Sequence, residues 1–309
     1  MALECCLETS VRHLAEFGWE KQIMATIAES SAFTRFKVSP ITARIGAEIE
    51  GVDLREEQSD EMIAEIRKAL LTYKVIFFRD QEITEDQHIA FSRRFGELEV
   101  HPMSEAKGQE HPEIFHLKTR PGGETSGADL WHSDVTWRAE PSMGSVLRAR
   151  IMPEVGGDTL WSDMVAAYEG LSPAMKEWVC TLTAVHDGSG FAGYLGIPVE
   201  EWHKRFPLQE HPVVRTHPET GDRALYVNCA FTRSIKGLSQ KESDWLLDHL
   251  YAQAAIPEYQ CRFRWRKDSI AFWDNRSCQH YAVSDYAPAM RHMERVTVAG
   301  DKPFFDPAQ

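Results

Sequence analysis

A histidine and an aspartate stand two residues apart in the segment WHSDVTW, as His132 and Asp134. In a β-strand, two residues at this spacing point to the same face, with Cα atoms roughly 6.6 Å apart. Both side chains can then reach one small object, and an imidazole beside a carboxylate is a common pair of metal ligands. The alternative is that the two side chains form a hydrogen-bonded pair on the surface. Other parts of the sequence are needed to distinguish a metal site from such a pair.

A third candidate ligand is His280 in WDNRSCQHYA, just after a strongly apolar predicted strand. Two neutral imidazoles and one carboxylate on one face are the ligand set of non-haem Fe(II) oxygenases, which keep coordination positions open. The same ligands suit a catalytic zinc ion. The triad alone therefore leaves open an oxygenase, a zinc-type hydrolase and a non-catalytic metal-binding protein.

Two arginines share one face of the last predicted strand, which contains RHMERVT. Arg291 and Arg295 point to the same side, with Cα atoms about 13 Å apart, whereas His292 and Glu294 point to the other side. A buried guanidinium requires an anion, and its fork binds a carboxylate or sulfonate through two hydrogen bonds. Each arginine can instead pair with an acidic side chain at the rim. If both face inward, they favour a small dianionic co-substrate together with an anionic substrate.

The composition excludes several classes of partner. The 309-residue chain has a net charge of -13, which argues against nucleic acid or an anionic membrane as its partner. No apolar run approaches about 18 residues, so no membrane-spanning helix is predicted. The first residues carry acids where a signal peptide needs basic residues, and the six cysteines have no metal-site or disulfide-framework spacing. We therefore expect a cytoplasmic protein with free thiols.

Periodicity and capping residues predict three helices, over residues 59–73, 84–96 and 239–255. Most of the remaining sequence predicts strands, among them 74–80, a hairpin over 212–228, 259–275 and 290–301. The segment 131–137 is also read as a strand. Many short strands with a few outer helices favour a mainly β, jelly-roll architecture.

The domain organisation is predicted to be simple. Residues 1–35 have the composition of a helical or partly ordered N-terminal extension, and residues 36–309 are predicted to form one domain, since no repeat or low-complexity linker interrupts them.

The sequence resembles the Fe(II)/2-oxoglutarate-dependent taurine dioxygenase family, which includes dioxygenases of taurine, alkylsulfonates, alkyl sulfates and aryloxyalkanoates. The resemblance extends over residues 37–305. Its motifs, in order, include IGAEIEGVDL, VIFFRDQEIT, FGELEVHP, WHSDVTW, GGDTLW, HPVVRTHPETGDRALYVN, WDNRSCQHYAVSDY and AGDKPFF. So dense a series in this order is highly specific.

The resemblance implies a double-stranded β-helix, a cupin-like jelly roll with peripheral helices. It implies that His132, Asp134 and His280 bind Fe(II). It further implies that Arg291 binds the distal carboxylate of the co-substrate 2-oxoglutarate, assisted by the hydroxyl of Thr159, and that dioxygen is the second co-substrate.

The resemblance also implies that His101 and Arg295 bind the substrate's sulfonate, with Phe231 in the pocket wall. The sequence departs from the taurine pattern at Ser104, where those enzymes have a tyrosine, and at Ala128, where they have an asparagine. We therefore expect the anion-binding end of the pocket to be kept and the amine-binding end to be altered.

The expected reaction is hydroxylation of a small organic anion, taurine or another alkylsulfonate, with decarboxylation of 2-oxoglutarate to succinate and carbon dioxide. The hydroxylated product is expected to break down to an aldehyde and the released anion. An alkyl sulfate ester or an aryloxyalkanoate is the alternative substrate. We further expect a homo-oligomer, a dimer or tetramer, without nucleic-acid or membrane partners.

Overall fold

The computed structural model describes residues 30, 32–101, 104, 110–119 and 128–309. The extension predicted over 1–35 lies almost wholly outside these residues, and its boundary stays a prediction. Phe33, near the end of that range, is buried in the core and stacks on Phe36 with ring centroids 5.5 Å apart.

Short β-strands dominate the described chain, as predicted. They are β1 (Lys37–Pro40), β2 (Ala47–Glu50), β3 (Val75–Phe78), β4 (Leu98–Glu99), β5 (Ile114–Thr119), β6 (Gly144–Ile151), β7 (Thr159–Asp163), β8 (Thr183–His186), β9 (Gln209–Pro212), β10 (Val214–Thr216), β11 (Arg223–Leu225), β12 (Thr232–Ile235), β13 (Gln260–Phe263), β14 (Ile270–Asp274), β15 (Cys278–Ala282) and β16 (Arg291–Val298).

Helices lie between these strands. They are α1 (Asp60–Tyr73), α2 (Glu85–Arg93), α3 (Met164–Glu169), α4 (Pro173–Val179), α5 (Ala192–Leu195), α6 (Val199–Arg205) and α7 (Gln240–Gln253). Within the described residues, none of them is both long enough and apolar enough to cross a membrane.

The strands form one large and three small sheets. The large sheet has the order β1-β2-β3-β14-β6-β16-β4, and β5 also pairs with β16. The small sheets are β13-β7-β15, β12-β8-β9 and β10-β11. Strand β16 lies between β6 on one side and β5 on the other, so its two faces are fixed along almost its whole length.

The core lies between the large sheet and the β13-β7-β15 sheet. Phe77 of β3 stacks on Phe263 of β13 with ring centroids 4.0 Å apart and meets Trp161 of β7 edge-on at 5.3 Å. All three side chains are fully buried, and burial of each such ring contributes roughly 2–3 kcal/mol. Two packed sheets with outer helices are the jelly-roll arrangement that the sequence predicts.

Helices α1 and α2 cover the outer face of the large sheet through an apolar cluster that includes Ile66, Phe91 and Phe272. Both begin at the predicted caps, Ser59 and Thr84, but α2 ends at Arg93 rather than at Gly96. The chain turns after Arg93, and Gly96 then packs closely on β16. A Cβ at Gly96, which has a φ of +154°, would lie 2.9 Å from Val298 Cγ1.

The alternation predicted for β16 is confirmed. Met293 is buried in the core between the two sheets, with Leu147 and Trp273. Val296, on the opposite face, packs under α2 against Ile89 and Ile114. Arg291 and Arg295 therefore share the face of Met293.

The strand predicted over 131–137 is wrong. His132 forms only an isolated antiparallel bridge with His280, through backbone hydrogen bonds of 3.1 and 2.8 Å. The chain then turns, and Val135 has a left-handed φ of 48°. The cause is Asn275, whose side chain accepts a hydrogen bond from the Asp134 N–H at 2.6 Å and donates to the Asp134 carbonyl at 2.9 Å. These bonds replace those of a neighbouring strand.

Helix α7 provides a test of the capping analysis far from β16. Ser239 Oγ accepts from the Glu242 N–H, and Glu242 Oε2 accepts from the Ser239 N–H at 2.9 Å. We predict that Ser239→Ala lowers the free energy of unfolding by about 1 kcal/mol, measured by urea denaturation. Ser239→Asp is the matched control and should stay near wild type, because aspartate also caps. Equal stability of the alanine and wild-type chains would contradict the assignment.

Candidate active site

The three predicted ligands converge at one buried point. His132 comes from the isolated bridge, Asp134 from the turn that follows, and His280 from β15. One ligand atom from each lies within 4.8 Å of the others, and His132 Nε2 is 3.9 Å from Asp134 Oδ1. The shared face that we predicted for residues 132 and 134 is thus achieved by a bridge and a turn instead of a strand.

The protonation states suit a divalent cation. Burial lowers the pKa of His132, and burial together with the nearby His132 lowers the pKa of His280 to about 3. Burial alone would raise the pKa of Asp134, but Arg295 and the two imidazoles hold it well below its usual range. Two neutral imidazoles and one carboxylate form a donor set that fits Fe(II).

Hydrogen bonds orient the first histidine. His132 Nδ1 lies 2.7 Å from the carbonyl oxygen of Leu130, which can only accept, so Nδ1 carries the proton and the lone pair of Nε2 is free to bind a metal ion beside Asp134. His280 Nδ1 is buried and has no hydrogen-bond partner among the described residues.

The carboxylate of Asp134 is bonded on both oxygens. Oδ1 accepts from Arg295 Nη1 at 2.6 Å, and Oδ2 accepts from Ser145 Oγ at 3.1 Å. Sequence reasoning missed Ser145 because its proximity depends on the register of β6 beside β16. The sequence also left open whether Arg295 pairs with an acidic side chain at the rim. Its acidic partner is Asp134, one of the three predicted metal ligands.

A cavity of about 380 Å³ opens beside the triad. His132, Asp134 and Arg295 contribute its polar groups near the triad, and the predicted substrate residues His101 and Phe231 also line it. The apolar part of the wall includes Phe115, Leu117, Leu130, Val135, Phe191 and Ala230.

Phe115 organises the cationic side of this cavity. It stacks on His101 with ring centroids 4.5 Å apart, and the guanidinium of Arg295 lies 5.4 Å from its ring centre. Of the two positions that depart from the taurine pattern, Ala128 lines the cavity, whereas Ser104 is fully buried and directs its hydroxyl to the carbonyl of Ile114 at 3.5 Å. Only Ala128 therefore shapes the described wall.

Arg291 has the environment of an anion-binding residue. It is 6% exposed, its guanidinium lies 5.8 Å from the ring centre of Tyr286, and burial lowers its pKa. In the described part of the chain it forms no ion pair with an acidic side chain, and its Nε has no hydrogen-bond partner. A buried guanidinium without an internal carboxylate is suited to bind an anion from solution.

Thr159 lies at the start of β7, two residues after Gly157, on which a Cβ would come 3.3 Å from Arg291 Cδ. The Thr159 hydroxyl is buried and accepts a hydrogen bond from Trp265 Nε1 at 2.9 Å. Its own proton therefore remains available for an acceptor. Neither Thr159 nor Arg291 lines the cavity that contains Arg295.

The jelly roll brings two histidines and an aspartate together, and one strand carries two buried arginines. These features are typical of metal-dependent enzymes that act on small anions. Residues 37–297 match the family model described as "Taurine catabolism dioxygenase TauD, TfdA family", and the chain belongs to this family. The predicted family and fold are confirmed. The zinc-type hydrolase and the non-catalytic metal-binding protein, both left open by the triad alone, find no support.

Similar proteins include the alkylsulfatase of Acinetobacter baylyi, which is 36% identical over 278 residues and 86% of each chain. The alpha-ketoglutarate-dependent sulfate ester dioxygenase of Pseudomonas putida is 35% identical over 90% of this chain and 94% of its own. Among solved structures, a putative alpha-ketoglutarate-dependent taurine dioxygenase from Burkholderia xenovorans has a TM-score of 0.77 and 40% identity, over 88% of this chain and 95% of that one.

Separate replacement of His132, Asp134 and His280 by alanine is predicted to lower the number of Fe(II) ions bound per chain by one. Loss of a direct ligand should weaken binding by more than the roughly 10–100-fold that outer-sphere changes cost. The measurement is anaerobic equilibrium dialysis with metal analysis. His249→Ala, an exposed histidine on α7, is the control. Wild-type iron content in any of the three variants would refute the triad.

Proposed function

We propose that this dioxygenase hydroxylates a small organic sulfonate, held by its anionic head at Arg295 beside the metal ligands. The observation that carries the proposal is the cavity itself, in which a buried arginine and the metal ligands lie together next to an apolar wall. A sulfate ester is the second candidate, since it presents nearly the same head group and two of the similar proteins are named for sulfate esters or alkyl sulfates.

The cofactor set is that of the family: Fe(II) with 2-oxoglutarate and dioxygen as co-substrates. When bound, this set supplies the oxidant that hydroxylates a carbon of the substrate, while 2-oxoglutarate is converted to succinate and carbon dioxide. We assign the iron to His132, Asp134 and His280. The task of the protein is to hold the reacting carbon close to this centre and to keep water out.

We assign the distal carboxylate of 2-oxoglutarate to Arg291 and Thr159. Arg291 can donate two parallel hydrogen bonds to a carboxylate, and it has no acidic partner within the described chain. The Thr159 hydroxyl accepts from Trp265 and can donate its proton to the same carboxylate. Binding would thus neutralise a buried charge that the protein itself leaves uncompensated.

We assign the substrate's head group to Arg295 and His101. Nη1 of Arg295 is engaged with Asp134, whereas its Nε is buried and has no hydrogen-bond partner in the described residues. The side chains of Arg295 and His101 both pack on Phe115. A sulfonate bound here would direct its carbon chain along the apolar wall formed by Phe231 and its neighbours, next to the metal ligands.

The position of the hydroxyl determines the product. If hydroxylation occurs at the carbon that bears the sulfonate, the hydroxyl proton is lost, a C=O bond forms and the C–S bond breaks to release sulfite and an aldehyde. For a sulfate ester, the C–O bond of the ester breaks and sulfate is released. Neither breakdown needs a further oxidant.

We also propose that the enzyme works in the cytoplasm as a homo-oligomer, a dimer or tetramer, without a nucleic-acid partner. Cys180, Cys229, Cys261 and Cys278 are free thiols, which suits a reducing compartment. The net charge of -13 opposes binding to nucleic acid.

Replacement of Arg291 by alanine is predicted to raise the KM for 2-oxoglutarate about 100-fold or more, because an unpaired carboxylate in a buried site costs roughly 3–5 kcal/mol. The KM for the sulfonate should change little. Steady-state succinate formation measures both. Arg262→Ala, which removes an exposed arginine, is the control. If 2-oxoglutarate affinity is unchanged in the Arg291 variant, the roles of the two arginines are assigned wrongly.

Taurine is predicted not to be preferred over amine-free anions. Ala128 stands where the taurine pattern has a polar group, and a large part of the wall next to the substrate's carbon chain is apolar. An apolar wall discriminates weakly between substrates. At saturating 2-oxoglutarate, longer alkylsulfonates, sulfate esters and aryloxy acids should equal or exceed taurine in kcat/KM, read out as substrate-dependent succinate.

Arg295→Lys should raise the KM of every anion in this panel, because lysine cannot offer the bidentate geometry of arginine. It keeps a positive charge near Asp134, so the metal site is disturbed less than by alanine. A tenfold or greater preference of the wild-type enzyme for taurine, about 1.4 kcal/mol, would contradict this account of the cavity.

A further inference from the structure

A second cluster of potential metal ligands lies on the other face of β16. His292 and Glu294 point away from the face that carries Arg291 and Arg295, and the neighbouring strand β5 contributes His116. In the register of the two strands, Glu294 stands directly opposite His116. The three side chains therefore belong to one small region of a well-paired sheet.

Their spacing fits a single ion. His116 Nδ1 lies 3.2 Å from His292 Nε2, close to the roughly 3.3 Å between two nitrogens that each bind a tetrahedral zinc at 2.0–2.1 Å. His116 Nδ1 lies 3.9 Å from Glu294 Oε1. The same N···O distance of 3.9 Å separates His132 from Asp134 in the catalytic triad.

The carboxylate of Glu294 is oriented for such a role. Its side chain is 1% exposed, and Oε2 accepts no hydrogen bond from the described residues, although Arg150 Nη1 and Arg148 Nη1 lie 3.6 and 3.9 Å away. Arg148 is itself engaged with Asp268 at 2.9 Å. Arg148 and Arg150 therefore lie on the side of Oε2, whereas Oε1 faces the imidazole of His116.

The imidazole of His292 is neutral near neutral pH. Burial, and then the charges of Lys118, His116 and Arg150, lower the pKa of His292 to about 4, so a bound cation need not displace a proton from this ring near neutral pH. His292 also lines a cavity of about 230 Å³, which contains the acidic side chains of Glu82 and Asp268 together with Arg148, Arg150 and Lys267. This cavity gives an ion access from solvent.

We propose that His116, His292 and Glu294 form a second metal site, separate from the catalytic centre, for a divalent cation of the zinc class. Two imidazoles and one carboxylate are ligands that zinc accepts, with water completing the tetrahedron. The ion joins β5 to β16. Because β5 carries Phe115 and Leu117 of the cavity wall and β16 carries both arginines, the ion would reinforce a strand pairing that connects the wall to the anion-binding groups.

The test starts from the full chain with His132→Ala and His280→Ala, which removes two of the three catalytic ligands and keeps the buried pair of Asp134 and Arg295. Isothermal titration with Zn²⁺ should show two ions per wild-type chain and one in this double variant. Adding His292→Phe should remove the remaining ion. Adding His249→Ala instead, on exposed α7, should leave it. Zn²⁺ at 100 times Kd should raise the Tm of the double variant by roughly 4 °C.

The proposal is overturned if the double variant binds no Zn²⁺, or if it binds one ion that persists after His292→Phe; His116 and His292 would then form only a hydrogen-bonded pair. Should the His292 variant fail to fold, Co²⁺ in the double variant decides. The visible bands of nitrogen-ligated tetrahedral Co²⁺ support the site, and their absence overturns it. Neither readout depends on catalytic activity.

Discussion

The structure depends on compensation of one buried negative charge, the carboxylate of Asp134. An isolated carboxylate at this depth would be protonated or would destabilise the fold. Arg295 and Ser145 donate hydrogen bonds to its two oxygens, at 2.6 and 3.1 Å, and His132 lies 3.9 Å away. Removing one partner of such a buried pair typically costs roughly 3–5 kcal/mol, so these groups fix one another's positions.

This one carboxylate also joins the two layers of the jelly roll. Ser145 and Arg295 lie on adjacent strands of the large sheet, β6 and β16. His132, which is bridged to His280 of β15, attaches the other layer. Asn275, directly after β14, holds the backbone of Asp134 on both sides. The metal ligands are therefore assembled by strand β15, by an isolated bridge, and by a turn that the side chain of Asn275 holds in place.

Arg295 couples the metal ligands to the proposed substrate site. Its Nη1 is bonded to Asp134 while its Nε faces no described partner. An anion bound to the remaining N–H donors of Arg295 would interact with the same positive charge that stabilises the Asp134 carboxylate. Substrate binding and the electrostatics of the metal centre would then be linked through one guanidinium, whereas the other anion is proposed to bind at Arg291, at the start of β16.

Local patterns predicted part of this arrangement. The capping boxes of α2 and α7 and the alternation along β16 follow from neighbouring residues, and the helix starts and the inward arginines were predicted accordingly. The strand expected over 131–137 was wrong because Asn275, about 140 positions away, replaces its hydrogen bonds. Ser145 and the Trp265 bond to Thr159 were missed because they depend on how distant strands pair.

The central claim is that two anions bind at once, one at each arginine of β16. It is tested most directly with enzyme loaded with Mn²⁺ and N-oxalylglycine, an analogue of 2-oxoglutarate that cannot be decarboxylated, so that no turnover occurs. Calorimetric titration of this complex with an alkylsulfonate should show binding of one sulfonate per chain, with an affinity that does not fall as the concentration of N-oxalylglycine is raised. Competition between the two ligands would mean that they share one arginine and would contradict the account.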